Sequence, residues 1–430
     1  MTPAGRRARF ALGVGGAVLA GATAGLLAGA EPFATGYYSF AWYSTLLIVD
    51  AAVALRDGRF FFLGRPAFAA TLLAWSVPFW LLFELFNFRI DNWYYVFVPA
   101  DLELRWAGTA LAFATVLPAI LGFERLLDAW RVAREARIAP LRVSPALLVG
   151  LQLAGALMLL GAVAWPRGLF PLVWGGVALV VDPWVYRREP DRSLIGDLEA
   201  GRPGRAIRLL AGGLVIGGLW ELFNIEARAK WIYTVPGFEE AKVFEMPVLG
   251  FLGFPPFALE GFAVWQALVV AGAAVPREGR TRPAPAGARA AVAAAALVLS
   301  LAVLAGIDRD TVSSTLPSLA GLPSVPEAAL QRVGIEDPFE LARTDPDELA
   351  AAARVEPEVA RGWIATARLA TLRGIGADHA RALRRVGIPT VEVLARADPA
   401  ELAADLAARG HPVPPARVRV WVRAARRAAR

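Results

Sequence analysis

The chain alternates long apolar runs with short, polar, arginine-bearing connections. Apolar runs fall at about 10–30, 37–55, 67–88, 106–123, 146–164, 168–186, 207–223, 248–275 and 289–306. Each approaches the roughly 20 residues a helix needs to cross a ~30 Å hydrocarbon layer. The pattern predicts an all-α, polytopic membrane bundle of nine spans. Past residue 307 it changes to short helical periods rich in Ala, Arg, Glu and Asp. That region predicts a linker over 307–325 and a small α-helical domain over 326–430, whose first hairpin begins as early as 319.

Polar positions inside the pattern recur. Phe83-Glu84-Leu85-Phe86-Asn87 ends one apolar run and Trp220-Glu221-Leu222-Phe223-Asn224 ends another. Leu47-Ile48-Val49-Asp50 is likewise echoed by Leu179-Val180-Val181-Asp182. Residues 1–124 and 125–288 therefore read as two four-helix units, with 289–306 as a ninth helix. An even number of helices per unit predicts a parallel repeat with its pseudo-axis along the membrane normal.

Charge orients this arrangement. With the N-terminus inside, the successive inner segments carry 3, 3, 5, 6 and 4 Lys/Arg, against 0, 2, 1 and 3 in the outer loops. The positive-inside rule then predicts a cytoplasmic N-terminus in a bacterial inner membrane and an extracytoplasmic tail. Leu27-Ala28-Gly29-Ala30 resembles a signal-peptidase site, but the repeat requires a retained first helix.

Composition narrows the chemistry. There is no cysteine, and the two histidines, His379 and His411, lie in the tail. Disulfides, thiolate catalysis and a His- or Cys-based metal or haem site in the membrane are excluded, and no cofactor is expected. The net charge of +7 is almost all arginine and does not by itself indicate nucleic acid.

The candidate chemistry is carboxylate chemistry. A charge costs at least ~2.5–3.5 kcal/mol at mid-membrane, so each buried acid invites a functional reading. Glu84 with Asn87, and Glu221 with Asn224, share one helix face in each unit. They face aromatic outer loops containing Trp93, Tyr94, Tyr95, Trp231 and Tyr233, which form either an interfacial belt or a cover over a site. Gly250, Gly253 and Pro255-Pro256 interrupt the eighth span ahead of Glu260 and predict irregular backbone there, either lining a cavity or forming a re-entrant structural plug. Glu221, Glu245 and Glu260 are the candidate catalytic acids and bases. Asp182, followed by Pro183, is expected to end its helix and cap a short inner one. The glutamate, aromatic-loop and proline layout resembles polytopic carotenoid-modifying enzymes of the lycopene cyclase and hydratase type. Trp231-Ile232-Tyr233 and Pro236-Gly237-Phe238-Glu239-Glu240 are the counterparts, with a departing Pro–Glu spacing. That resemblance implies carboxylate acid/base chemistry on an isoprenoid.

The tail repeats at an offset of 53. Arg332-Val333-Gly334-Ile335 matches Arg385-Val386-Gly387-Ile388, and Asp345-Pro346 matches Asp398-Pro399. The stretch Leu372-Arg373-Gly374-Ile375-Gly376 looks like a helix–hairpin–helix turn, and the tandem form resembles an uncharacterised bacterial domain family. The resemblance implies phosphate contact by Gly374 and Gly376. Pro323 replaces the second glycine in the first copy, and acids nearly balance the arginines. An extracytoplasmic tail would also stand away from DNA, so nucleic acid is a partner only if the tail is cytoplasmic. Membrane lipid and a protein partner for the tail are the expected contacts. Three readings stay open: a membrane scaffold or assembly protein, which is favoured, an enzyme acting on a lipid or isoprenoid, and a proton-coupled transporter using Glu84 and Glu221.

Overall fold

In lipid, a backbone must satisfy its own N–H and C=O groups, and an isolated apolar run does so as a helix. The computed structural model describes residues 3–235, 242–244, 246–279, 283–309, 311–313, 330, 334–335 and 337–429. Its first three spans are α1 (Pro3–Leu27), α2 (Phe33–Asp57) and α3 (Pro66–Ile90). The fourth is broken into α4 (Leu102–Phe113) and α5 (Val116–Ala129). The fifth is α6 (Pro145–Ala164). The sixth comprises the single turn α7 (Pro166–Leu169), a 3-10 turn and α8 (Val173–Tyr186). After the short α9 (Leu194–Glu199) come α10 (Gly204–Ile225), α11 (Phe254–Val270) and α12 (Ala286–Ile307). Among the described residues, nine helical segments are long and apolar enough to cross a membrane.

The chain divides into two units. The first comprises 1–91, 106–227 and 240–309, and the second 92–105, 228–239 and 310–430.

The first unit is helix on helix. Glycines on α10 let α11 approach closely: a Cβ at Gly213 would lie 2.6 Å from the Phe254 carbonyl oxygen. The break between α4 and α5 is held by Ser76, whose Oγ donates to the Phe113 carbonyl (2.6 Å) and accepts from the Leu117 N–H (3.0 Å). An ion-pair network lies where the predicted inner segments meet these helices. Arg208 pairs with Glu124 at 2.7 Å and with Asp128 at 3.5 Å, while Arg125 bridges Asp57 and Asp128. The predicted irregular entry to the eighth span is a 3-10 turn, Val248–Gly253, which leads directly into α11. Just before it, β3 (Lys242–Val243) and β4 (Met246–Pro247) pair antiparallel.

The second unit contains strands that apolar periodicity did not predict. β1 (Trp93–Val98) from one aromatic loop pairs antiparallel with β2 (Lys230–Tyr233) from the other, setting Trp93 opposite Tyr233 and Tyr95 opposite Trp231. β5 (Val312–Ser313) joins β1 in parallel, giving the order β2-β1-β5. Aromatic and β-branched side chains suit a half-buried pleated surface, so these loops become strands once each supplies the other's hydrogen bonds.

The rest of this unit is helical, running α13 (Pro338–Arg343), α14 (Pro346–Ala353), α15 (Pro357–Thr371), α16 (Gly376–Arg385), α17 (Val391–Arg396), α18 (Pro399–Ala408) and α19 (Pro415–Ala428). Asp345 and Asp398 cap α14 and α18 identically, each accepting two backbone N–H groups ahead of a proline. The ring fixes φ where the first N–H would be unsatisfied anyway. Trp363 and Trp421, together with Leu341, Ile364, Leu383 and Leu394, lie in one hydrophobic core.

Candidate functional site: buried carboxylates and a strand–tail module

The acids singled out in the membrane unit are buried. Glu221 and Glu260 are 0% exposed, Glu84 and Asn224 1%, and Asn87 8%. They sit in a unit whose centre is aromatic. Phe257 of α11 packs against Phe79, Trp80 and Phe83 of α3, Trp174 of the sixth span and Trp220 of α10, at centroid distances of 5.0–5.8 Å. Trp42 of α2 adds contacts to Trp220 (5.8 Å) and Phe223 (5.6 Å). These rings join the two predicted repeat units, because α2 and α3 belong to the first and the others to the second.

Glu84 and Glu260 each have a local occupation. Glu84 Oε1 accepts from Trp80 Nε1 at 2.8 Å, one helical turn away. Glu221 lies within electrostatic reach of Tyr38, whose hydroxyl bonds Thr115 and Trp42. Glu260 lies on the second turn of α11, but its carboxylate serves a different helix. The sixth span leaves helical geometry at Trp174 and Gly175, and Glu260 Oε1 accepts the Val177 N–H (2.9 Å) that the break exposes. A carboxylate placed there satisfies an orphan donor and complements the positive end of the restarted helix.

Asp50 and Asp182 make the same contact twice. Asp50 accepts the N–H groups of Phe61, Phe62 (3.0 Å) and Leu63 (2.9 Å). Asp182 accepts those of Leu194 (3.0 Å) and Ile195 (2.9 Å) at the start of α9. Asp182 thus caps a short helix, as its position predicts, but α8 runs on past Pro183 to Tyr186 rather than ending there.

Glu245 lies outside the described residues, so its convergence with Glu221 and Glu260 is not described. Among the described residues no group of three His, Asp or Glu side chains is arranged to hold a metal ion. Trp231 and Tyr233 are strand residues in the second unit, the module that joins the strands and the tail.

In that module the turn carrying Gly374 and Gly376 is buried. Gly374 has φ +80°, and a Cβ there would lie 2.6 Å from Val96 Cγ1 and 3.1 Å from the Tyr94 ring. The turn's surface is thus taken up by β1, an arrangement that leaves no open approach for a phosphate at Gly374. Pro323, the counterpart of Gly376 in the first copy, lies outside the described residues. The tail grips the strands elsewhere too. Arg417 stacks over Tyr94 at 3.9 Å, Phe339 meets Phe97 edge-on at 4.9 Å, and Arg228 pairs with Asp337 at 2.7 Å. Also in the tail, His379 Nδ1 and His411 Nε2 are 2.7 Å apart. Burial, then the neighbouring His411 and Arg417, hold His379 down to about 3.

Sequence reasoning located the acids but missed their partners. Glu260 and Val177 are 83 residues apart, and only the packing of α11 on the sixth span connects them. The strand pair did leave a signal, two short aromatic runs at equivalent places in the predicted repeat. Comparison with known proteins reaches only the tail. No curated protein and no solved structure matches the chain. Residues 321–427 match the family model described as "Domain of unknown function (DUF4332)", and the tail is similar to that uncharacterised domain.

Proposed function

We propose that this protein is a membrane scaffold or assembly protein of a bacterial inner membrane, and that its outer module, built from two loops and the tail, binds a protein partner. The observation that carries the reading is the β2-β1-β5 sheet, because three chain segments distant in sequence are spent on a single helical module. Span parity supports it. The segments carrying β1, β2 and β5 follow the third, seventh and ninth spans, so nine crossings bring all three to one side. By the arginine distribution that side is extracytoplasmic, which disfavours nucleic acid as the partner. The occupations of Glu84 and Glu260, a tryptophan N–H and a helix break, support structural roles for these acids over acid/base chemistry.

The test is site-specific photo-crosslinking of the full-length protein in native membranes. Probes go at Val359 and Val393, large apolar side chains of the tail that are 38% and 36% exposed. Discrete protein adducts, unchanged in Glu221→Gln and Glu260→Gln, are expected. A co-purifying isoprenoid or lipid product that disappears in Glu221→Gln, with no adduct at either probe, would replace this reading with the enzymatic one.

A further inference from the structure

The two inner connections of the membrane unit handle arginine differently. In the second half each arginine after Asp182 has a local partner: Arg192 pairs with Glu189, Arg205 and Arg202 pair with Asp197 at 3.2 and 4.0 Å, Arg187 donates to Gln152 at 2.7 Å, and Arg188 stacks over Trp184 at 3.9 Å. In the first half Arg59 and Arg65 lie on the connection between α2 and α3. Both are exposed, with no ion pair among the described residues.

A third arginine is brought to them from far along the chain. Arg277 follows α11, and its connection is tied down by Trp75, whose Nε1 donates to the Ala273 carbonyl at 3.1 Å. Arg277 Nε donates to the Phe61 carbonyl at 3.1 Å, and the guanidinium lies 5.3 Å from the Phe61 ring. Its acidic neighbours are weak: Glu278, at 3.7 Å, is 72% exposed, and Asp50 acts from a distance while accepting three backbone N–H groups. Asp57, the other nearby acid, is engaged by Arg125. Burial lowers the Arg277 pKa from its usual value, and Arg65, Arg59 and Arg125 push it the same way.

Arg277 is thus fixed to the short connection that carries Arg59 and Arg65, and an anion would relieve the repulsion among three positive charges gathered there. The surroundings select the anion's carrier, since Leu55, Leu63 and Val275 nearby are 42%, 60% and 40% exposed. An exposed apolar fringe at the membrane surface suits acyl chains, and a basic cluster beside it suits a phosphodiester headgroup. We propose that Arg59, Arg65 and Arg277 form a binding site for the phosphate of an anionic phospholipid. Asp50 is the positioning residue, because it holds the N–H groups of Phe61, Phe62 and Leu63 and so shapes the connection that displays Arg59 and Arg65. The site does not depend on the scaffold reading.

The experiment is native mass spectrometry of the full-length protein released from vesicles of mixed phosphatidylglycerol and phosphatidylcholine. Retained phosphatidylglycerol is compared for the wild type, Arg59→Gln/Arg65→Gln and the control Arg6→Gln/Arg7→Gln, which removes equal charge at the N-terminus. The exposed pair is chosen because Arg277 also supports the fold. Both variants lose the same diffuse attraction of ~1 kcal/mol per arginine near a membrane surface, so the site shows as the difference: the pair variant should lose at least roughly 10-fold more retention than the control, the equivalent of one charge-assisted hydrogen bond of ~1.5 kcal/mol. Equal loss in both variants would reduce the effect to diffuse surface charge and overturn the site. Displacement of the lipid by millimolar inorganic phosphate, with no preference for phosphatidylglycerol, would overturn the lipid assignment.

Discussion

The docking of the tail turn on β1 can be tested at one atom. Gly374→Ala adds a single methyl group at φ +80°, where its Cβ would sit 2.6 Å from Val96 Cγ1. A left-handed alanine costs ~1–2 kcal/mol, and overpacking a filled site costs a further ~1–3 kcal/mol. The two terms can be separated, because Gly387 also has a left-handed φ (+84°) but faces open space. Gly387→Ala should therefore carry only the backbone term. The assay is amide hydrogen exchange on the full-length protein, following Trp93–Val98 and Lys230–Tyr233. Gly374→Ala should speed exchange in both strands by roughly 5- to 150-fold over Gly387→Ala, the equivalent of ~1–3 kcal/mol. Equal exchange in the two variants would refute the packing of the turn against β1.

Three further outcomes follow from the buried polar groups. Glu260→Gln keeps an oxygen for the Val177 N–H, whereas Glu260→Leu strands that donor at ~1–3 kcal/mol, so thermal unfolding should rank Leu well below Gln; the reverse order would sink the capping role. Asp50→Ala orphans three N–H groups and should unfold at lower temperature than Asp182→Ala, which orphans two; equal or inverted melting would deny that these hydrogen bonds set the loops. His379 is held neutral in the folded tail, so the unfolded chain binds the extra proton. Stability from this group is full above its unfolded pKa of about 6.5 and falls with pH toward about 3, by up to ~1.4 kcal/mol per pH unit. Denaturant unfolding followed by exchange in α19 should show that slope, and His379→Phe should flatten it; an unchanged slope would place the acid sensitivity elsewhere.

The sequence by itself determined the membrane class, the placement of nine helical segments and the helical nature of the tail. Those features follow from local properties: run length against bilayer thickness, and helix caps such as Asp345-Pro346 that act within three residues. The candidate acids were also legible, since a carboxylate in an apolar run is visible without any fold. Tertiary structure alone decided what each acid does. Glu260 became the cap of a break in the sixth span because α11 packs there, and Phe257 set the aromatic centre by meeting rings from three other spans. It also decided that β1, β2 and β5 form one sheet with the tail. Hydrogen bonds between strand residues 134 or more apart leave no periodicity in either strand, so each read only as an aromatic loop. The same holds for Arg277, whose place beside Arg59 and Arg65 depends on a 216-residue contact to Phe61. Burial and helix formation are written into short windows of sequence, whereas the pairing of polar groups is written only into the packing that brings them together.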